Sequence, residues 1–276
     1  MIARPEVSVI IPTYNRVSVI ERSIRSVLNQ KDISFELIVV DDGSVDETFE
    51  AVLNLDTQIR YFYQENQGPS AARNKGILES QAPFVAFLDS DDEWLPEKLN
   101  RQIYFFNQHP DFLICQTNEI WIRNGKRVNP MKKHQKYGGH IFEKCLPLSV
   151  VSPSCVMMRR EFFRHVGFFD ESLPACEDYD LWLRTSMRFP IGLLDEPSVI
   201  KYGGHLDQRS HQFEVIDRFR IKSLRKLLES HQLLDEQRRL VLEELAKKCR
   251  IVIQGSKKRN KFHEAAYYER VLEEVS

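Results

Sequence analysis

The amino-acid sequence predicts an α/β fold with a largely parallel central sheet and an all-helical C-terminal extension. Three observations carry this prediction. Short apolar runs at residues 7–11, 35–40, 59–63 and 84–88 alternate with amphipathic helical patterns, which is the signature of β-α-β units. Two of these runs stop abruptly in acids, Asp41-Asp42-Gly43-Ser44 and Asp89-Ser90-Asp91-Asp92-Glu93, where open α/β sheets bind ligands beyond the carboxyl ends of their strands. From Gln212 onward the spacing of apolar residues is helical only.

The first run, 7–11, is β-branched and is expected to end at Pro12. The polar turn Thr13-Tyr14-Asn15-Arg16 leads into a helix whose Ile20, Ile24, Val27 and Leu28 recur every three or four residues. The second run, Phe-Glu-Leu-Ile-Val-Val at 35–40, ends in the first acidic turn, with Asp46 and Glu47 opening the next helix. A third strand at 59–63 precedes Gly68-Pro69-Ser70-Ala71-Ala72-Arg73-Asn74-Lys75-Gly76, a helix start whose small residues permit close packing. The fourth strand, 84–88, is apolar on both faces, as suits a covered central strand. A helix through Leu99, Ile103 and Phe106 and a short strand at 112–115 follow. Alternation then fades. Residues 120–123 and 126–128, joined by Asn124-Gly125, resemble a β-hairpin. Residues 129–139, with Lys132, Lys133 and Lys136, read as a mobile surface loop. A strand at 154–158, a helix at 161–166 and a second acidic cluster, Glu177-Asp178-Tyr179-Asp180, complete a domain spanning about 1–211, with halves at about 1–117 and 118–211. Residues 212–276 form the helical extension.

The chain has 276 residues, 42% of them hydrophobic, enough for a sizeable core. A net charge of -1 gives no electrostatic reason to expect nucleic acid as a partner. Five cysteines without a C-x-x-C pair are expected to be reduced thiols rather than zinc ligands. No signal-peptide pattern and no apolar run near the ~20 residues that span a bilayer is visible, so a cytoplasmic protein is expected, with any membrane contact peripheral on the inner face. Crowded carboxylates repel unless a cation compensates them. Oxygen-only ligands favour Mg²⁺ or Mn²⁺, typically shared with substrate phosphates. For Asp92 the competing reading is a cap on the following helix.

Together the motifs resemble the inverting glycosyltransferases of family 2. The matching pieces are Val7-Ser8-Val9-Ile10-Ile11-Pro12-Thr13-Tyr14-Asn15, Asp41-Asp42-Gly43-Ser44, Gly68-Pro69-Ser70-Ala71-Ala72-Arg73-Asn74, Asp89-Ser90-Asp91 and Glu177-Asp178, in the family's order over roughly residues 5–205. The resemblance implies a GT-A fold, a Rossmann-like sheet flanked by helices, and a nucleotide-sugar donor, with a UDP-sugar expected. It implies a nucleotide pocket of Pro12, Tyr14, Asp42, Arg73 and Asp89, with Tyr14 as an aromatic face and Asp42 as an acceptor for a uracil N–H. A divalent ion, Mn²⁺ or Mg²⁺, would be bound by Asp91, with Asp89 reaching the ribose or a water on the ion, and His205 is a candidate third ligand. Asp178 would be the base that deprotonates an acceptor hydroxyl, with Glu177 contacting donor or acceptor. The acceptor is expected to be a glycan or lipid-linked glycan. The rival readings are a nucleotide-sugar-binding scaffold without turnover and a sugar nucleotidyltransferase, the latter disfavoured because Thr13-Tyr14-Asn15-Arg16 stands where a Gly-rich triphosphate loop would be. In the extension, Lys257-Lys258-Arg259-Asn260-Lys261 suggests either a solvated basic turn of a packed hairpin, the preferred reading, or a membrane contact. Self-association through those helices is a third use of them.

Overall fold

Alternation of apolar side chains along the strands sets the layers. The computed structural model describes residues 4–56, 58–129, 131–204 and 214–274. Nine strands form one sheet: β1 (Val7–Thr13), β2 (Phe35–Asp41), β3 (Arg60–Tyr63), β4 (Phe84–Phe87), β5 (Glu93–Trp94), β6 (Ile114–Arg123), β7 (Lys126–Val128), β8 (Val156–Arg159) and β9 (Gly192–Gly203). Their order is β3-β2-β1-β4-β8-β6-β9-β5, with β7 paired to β6. Strands β3, β2, β1 and β4 are parallel, as expected. The second half is mixed: β8 runs antiparallel to both β4 and β6, while β9 is parallel to β6. Chain winding reverses between β1 and β4, which opens a crevice beyond their carboxyl ends.

On one face Val7, Val9, Ile11, Leu37 and Val39 meet helices α1 (Ile20–Leu28), α2 (Thr48–Leu53) and α4 (Lys98–Gln108). On the other, Ile10, Ile38, Val40, Val85 and Phe87 meet α3 (Pro69–Glu79) and a larger cluster that includes α7 (Glu177–Ser186). Gly76 is required by this packing, because a Cβ there would lie 2.4 Å from Ile10 Cγ2. Two short helices, α5 (Phe142–Cys145) and α6 (Phe162–Val166), line the same cluster. So do α8 (Asp217–Glu229), α9 (Asp235–Lys258) and α10 (Phe262–Glu273), whose Leu224, Leu227, Val241, Leu245 and Val271 are buried with Tyr179 and Trp182. Among the described residues no helix is long and apolar enough to cross a membrane.

Three local expectations are corrected. Pro12 does not end β1; it pairs with Val40, beyond the last β4 pair at Ile10, where a missing N–H breaks no ladder bond on that side. The strands expected at 112–115 and 120–123 are one strand, β6, bulged around Asn118. Its polar centre hid that continuity, yet Gln116 Nε2 donates to Tyr137 O (3.0 Å) and Asn118 Nδ2 to Asp195 O (2.8 Å). Asn124-Gly125 makes the expected tight turn, both with positive φ (48° and 73°). In the segment read as a surface loop, Lys136 is instead buried, 3.1 Å from Glu119, and residues Lys132–His134 form a 3-10 turn.

Candidate active site

The loop after β1 is tied to the loop after β2. Asn15, with φ +50°, donates its N–H to Ser44 Oγ (2.8 Å), and its Oδ1 accepts the N–H of Val45 (2.8 Å). Arg16 N–H reaches Thr48 Oγ1 and Val17 N–H reaches Asp46 Oδ2. Two motifs distant in sequence thus share one wall, with Tyr14 47% exposed above it and Pro12 buried beneath. Asp42 is buried, and it accepts from Gln64 Nε2 and from the N–H groups of Gln67 and Gly68 at 2.7–2.9 Å. Its carboxylate therefore shapes the entry to α3, whose second turn carries Arg73.

Arg73 connects the acidic turn after β4 to the second acidic cluster. Only 5% exposed, its guanidinium donates to Asp89 Oδ1 at 2.7 Å and to Glu177 Oε1 at 2.9 Å. Burial opposes the charge, but the two carboxylates hold it firmly protonated. Asp89 in turn stays below the ordinary carboxylate range, because Arg73 and then Lys201 outweigh its own burial. The end of β4 and the start of α7 consequently face one crevice. Cys176, in the left-handed region at φ +62°, turns the chain sharply so that Glu177 and Asp178 open the helix. Asp178 is partly exposed. It accepts from Ser149 Oγ (2.9 Å) and from Tyr179 N–H (2.7 Å). Burial, and secondly the charge of Glu177, raise its proton affinity above that of an ordinary aspartate.

Asp91 sits on the turn beyond β4, partly buried, with its carbonyl held by Arg22 Nη2 at 2.6 Å. Asp92 does not cap the next helix, which begins at Lys98. It is buried at 2% exposure, accepts Ser154 Oγ–H (2.6 Å) and lies 4.0 Å from Lys201 Nζ. Burial pushes it up to about 8, Lys201 opposing and Asp91 and Asp89 adding to the shift. Lys201 was missed by the motif reading, although it is the one cation in the apolar run 198–202 that closes β9. It belongs to a buried network with Ser152, Glu119 and Lys136; burial alone would raise Glu119, but Lys136 and Lys201 bring it down to about 2. His205 lies outside the described residues. Among those described, no three His, Cys, Asp or Glu side chains gather as a metal cage. What the turn offers is carboxylate oxygen, chiefly from Asp91, which fits a hard cation completed by phosphate oxygens rather than an all-protein site.

Fold and site define an α/β protein whose ligand crevice, at the point where the strand order reverses, carries acids on both walls. The chain belongs to glycosyl transferase family 2, whose model matches residues 8–167. An uncharacterized glycosyltransferase of Rickettsia bellii is 36% identical over 190 residues, 68% of this chain but 27% of that protein, so the chain spans about a quarter of that relative's length. A Campylobacter jejuni protein named GalNAc(5)-diNAcBac-PP-undecaprenol beta-1,3-glucosyltransferase is 44% identical over 101 residues, 35% of this chain and 33% of its own length. The crystal structure of S. aureus TarS 1-349 in complex with UDP-GlcNAc superposes with a TM-score of 0.68 at 18% identity, covering 98% of this chain and 92% of that one. The fold is accordingly of the GT-A type, with C-terminal helices.

Proposed function

We propose that this chain moves one sugar, with inversion at the anomeric carbon, from a UDP-sugar to a hydroxyl of a glycan or lipid-linked glycan. The observation that carries the reading is the buried Arg73 bridge, because it places the acids of the donor turn and of the α7 N-terminus on one crevice. The donor is supported by the UDP-GlcNAc bound to TarS, and the acceptor class by the undecaprenol-linked glycan in the Campylobacter protein's name. Tyr14 would cover the nucleobase, and Asp42 would accept from it with the lone pairs left by its three backbone and amide donors. Asp89, fixed by Arg73, would face the ribose. Asp91 would hold a Mg²⁺ or Mn²⁺ shared with the diphosphate, which supplies neutralisation of the charge that develops on the leaving group.

Asp178 would take the acceptor's proton as the new bond forms. Its raised proton affinity suits a base, its partial exposure leaves room for a hydroxyl, and Ser149 together with the Tyr179 N–H orients it. Glu177, locked onto Arg73, keeps the two walls in register. The test incubates the protein with a panel of nucleotide sugars and Mn²⁺ or Mg²⁺, following thermal stabilisation and nucleoside diphosphate release, with the anomeric configuration of any product read by NMR. One donor should raise the melting temperature by mass action. Asp178→Asn should keep that shift and lose about 10²–10⁴ in turnover. If no nucleotide sugar stabilises the protein with either metal, the reading fails.

A further inference from the structure

Apart from the two-residue pairing of β5 with β9, the acidic turn is irregular, and five of its main-chain groups find side-chain partners on α1 and the residue two past its end. Along α1 the apolar residues Ile20, Ile24 and Val27 enter the core, while an adjacent stripe faces the backbone of residues 90–95. Arg22 Nη2 donates to Asp91 O at 2.6 Å. Ser23 Oγ lies 2.8 Å from Ser90 O and 2.6 Å from Asp92 O, its one proton shared between them. Ser26 Oγ accepts the Trp94 N–H (3.0 Å), and Gln30 Nε2 donates to Leu95 O (2.8 Å). Buried carbonyls that a strand would have paired are thus paired by side chains.

Arg22 differs from the other three. The serines and Gln30 are buried within this contact, whereas the Arg22 guanidinium also contacts a third element, its Cζ 3.6 Å from the ring centroid of Tyr202 on β9. The Tyr202 hydroxyl returns to the turn, donating to Glu93 (2.7 Å). A planar cation stacked on an aromatic face while donating in its own plane is something arginine can do and lysine cannot.

We propose that Arg22 is a positioning residue of the transfer reaction, a clamp that holds the acidic turn and the exit of β9 in one register and so sets where Asp91 meets the diphosphate. The inference rests on the donor reading above. It predicts that loosening the clamp affects two segments distant in sequence at once, 89–94 and 199–204, and lowers affinity for the nucleotide rather than only stability.

The experiment compares wild type with Arg22→Met, Arg22→Lys, Tyr202→Leu and Tyr202→Phe, using UDP with Mn²⁺ as the probe in calorimetry at a temperature where every variant is folded, beside amide hydrogen exchange without ligand. Arg22→Met and Tyr202→Leu should each raise the Kd for UDP about tenfold, the double variant by no more than either alone, because both break one clamp. Arg22→Lys should resemble Arg22→Met. Tyr202→Phe, which keeps the stack, should stay within about threefold of wild type. Exchange should rise in both segments together. An unchanged Kd in a folded Arg22→Met, or exchange that rises in α1 alone, overturns the clamp. Wild-type protein that binds no UDP overturns the donor reading instead, and the exchange data still decide whether the two segments are coupled.

Discussion

Asp178 is held above the ordinary carboxylate range by burial and by Glu177, and this has a kinetic signature. A base must be deprotonated, so kcat/KM should fall on the acid side through an apparent pKa higher than that of a typical aspartate, and the pH profile of wild type measures it directly. Arg73 is the opposite case, a buried cation on which two carboxylates depend. Arg73→Met should cost about 3–5 kcal/mol in urea denaturation at neutral pH, because Asp89 and Glu177 remain buried without their partner. The loss should shrink in acid as those carboxylates protonate. Among the described residues Lys98 has no carboxylate partner: fully buried, it donates to Gln102 Oε1 (2.7 Å) and lies 3.9 Å over Trp94, and burial brings it down to about 7 from the ordinary 10.5. Between about 7 and 10.5 the unfolded chain binds a proton that the native lysine has lost, so stability rises with pH across that window and is flat below it. Lys98→Met should remove that rise, as denaturation midpoints at pH 7 and 9.5 would show.

At the level of elements, the parts written in local periodicity were legible in the sequence, and the parts written in tertiary pairing were not. Strands β1, β2 and β4 and helices α1 and α4 follow from apolar spacing that any window of ten residues displays, and α3 from its Gly-Pro start and run of small residues. Strand β6 does not, because Gln116 and Asn118 satisfy their polar groups against residues 21 and 77 positions away, and no local pattern announces that. The same holds at the site. Asp89, Arg73, Glu177 and Asp178 were found through ordered motifs, whereas Lys201, Ser149 and Ser154 were invisible because each is a single polar residue whose partner comes from another element. The buried Lys136 looked like one more lysine of a basic loop until Glu119 stood beside it. Where an element was legible, its cause can be tested. The α3 helix lies close on β1 because Gly76 has no side chain, so Gly76→Ala should drive a methyl into Ile10 and destabilise by about 1–3 kcal/mol. Ile10→Val removes only Cδ1 and keeps the clashing Cγ2, so it should rescue little; Ile10→Ala removes Cγ2, so the Gly76→Ala/Ile10→Ala double variant should cost less than the sum of the two single variants.

The larger of the two core clusters runs from one sheet face through α7 into α8, α9 and α10. Helix α7, which carries Glu177 and Asp178 at its first turn, has the C-terminal helices on its other side. Asp180, 2% exposed, is held by Arg184 at 2.8 Å and by Lys226 of α8 at 3.0 Å, and Lys226 also reaches Asp170 at 2.7 Å. Gln237 of α9 donates to Met187 O (2.8 Å) just past the end of α7, and Lys248 donates to Pro147 O (2.8 Å), two residues from the Ser149 that orients Asp178. The extension is therefore part of the support for the helix that carries the proposed base, Asp178. A chain stopped after residue 213 should expose Tyr179, Trp182 and their neighbours and bind hydrophobic dyes or precipitate, in place of a smaller folded domain. A milder variant separates support from folding. Lys226→Met leaves Asp180 with one cation and should cost about 1 kcal/mol in stability, given that the lysine is partly exposed. If α7 is positioned from behind, this variant should also lower turnover several-fold while UDP affinity, which the proposal assigns to the β1, β2 and β4 loops, stays unchanged. Equal losses in both would mean that α8 supports the molecule as a whole and not the base in particular.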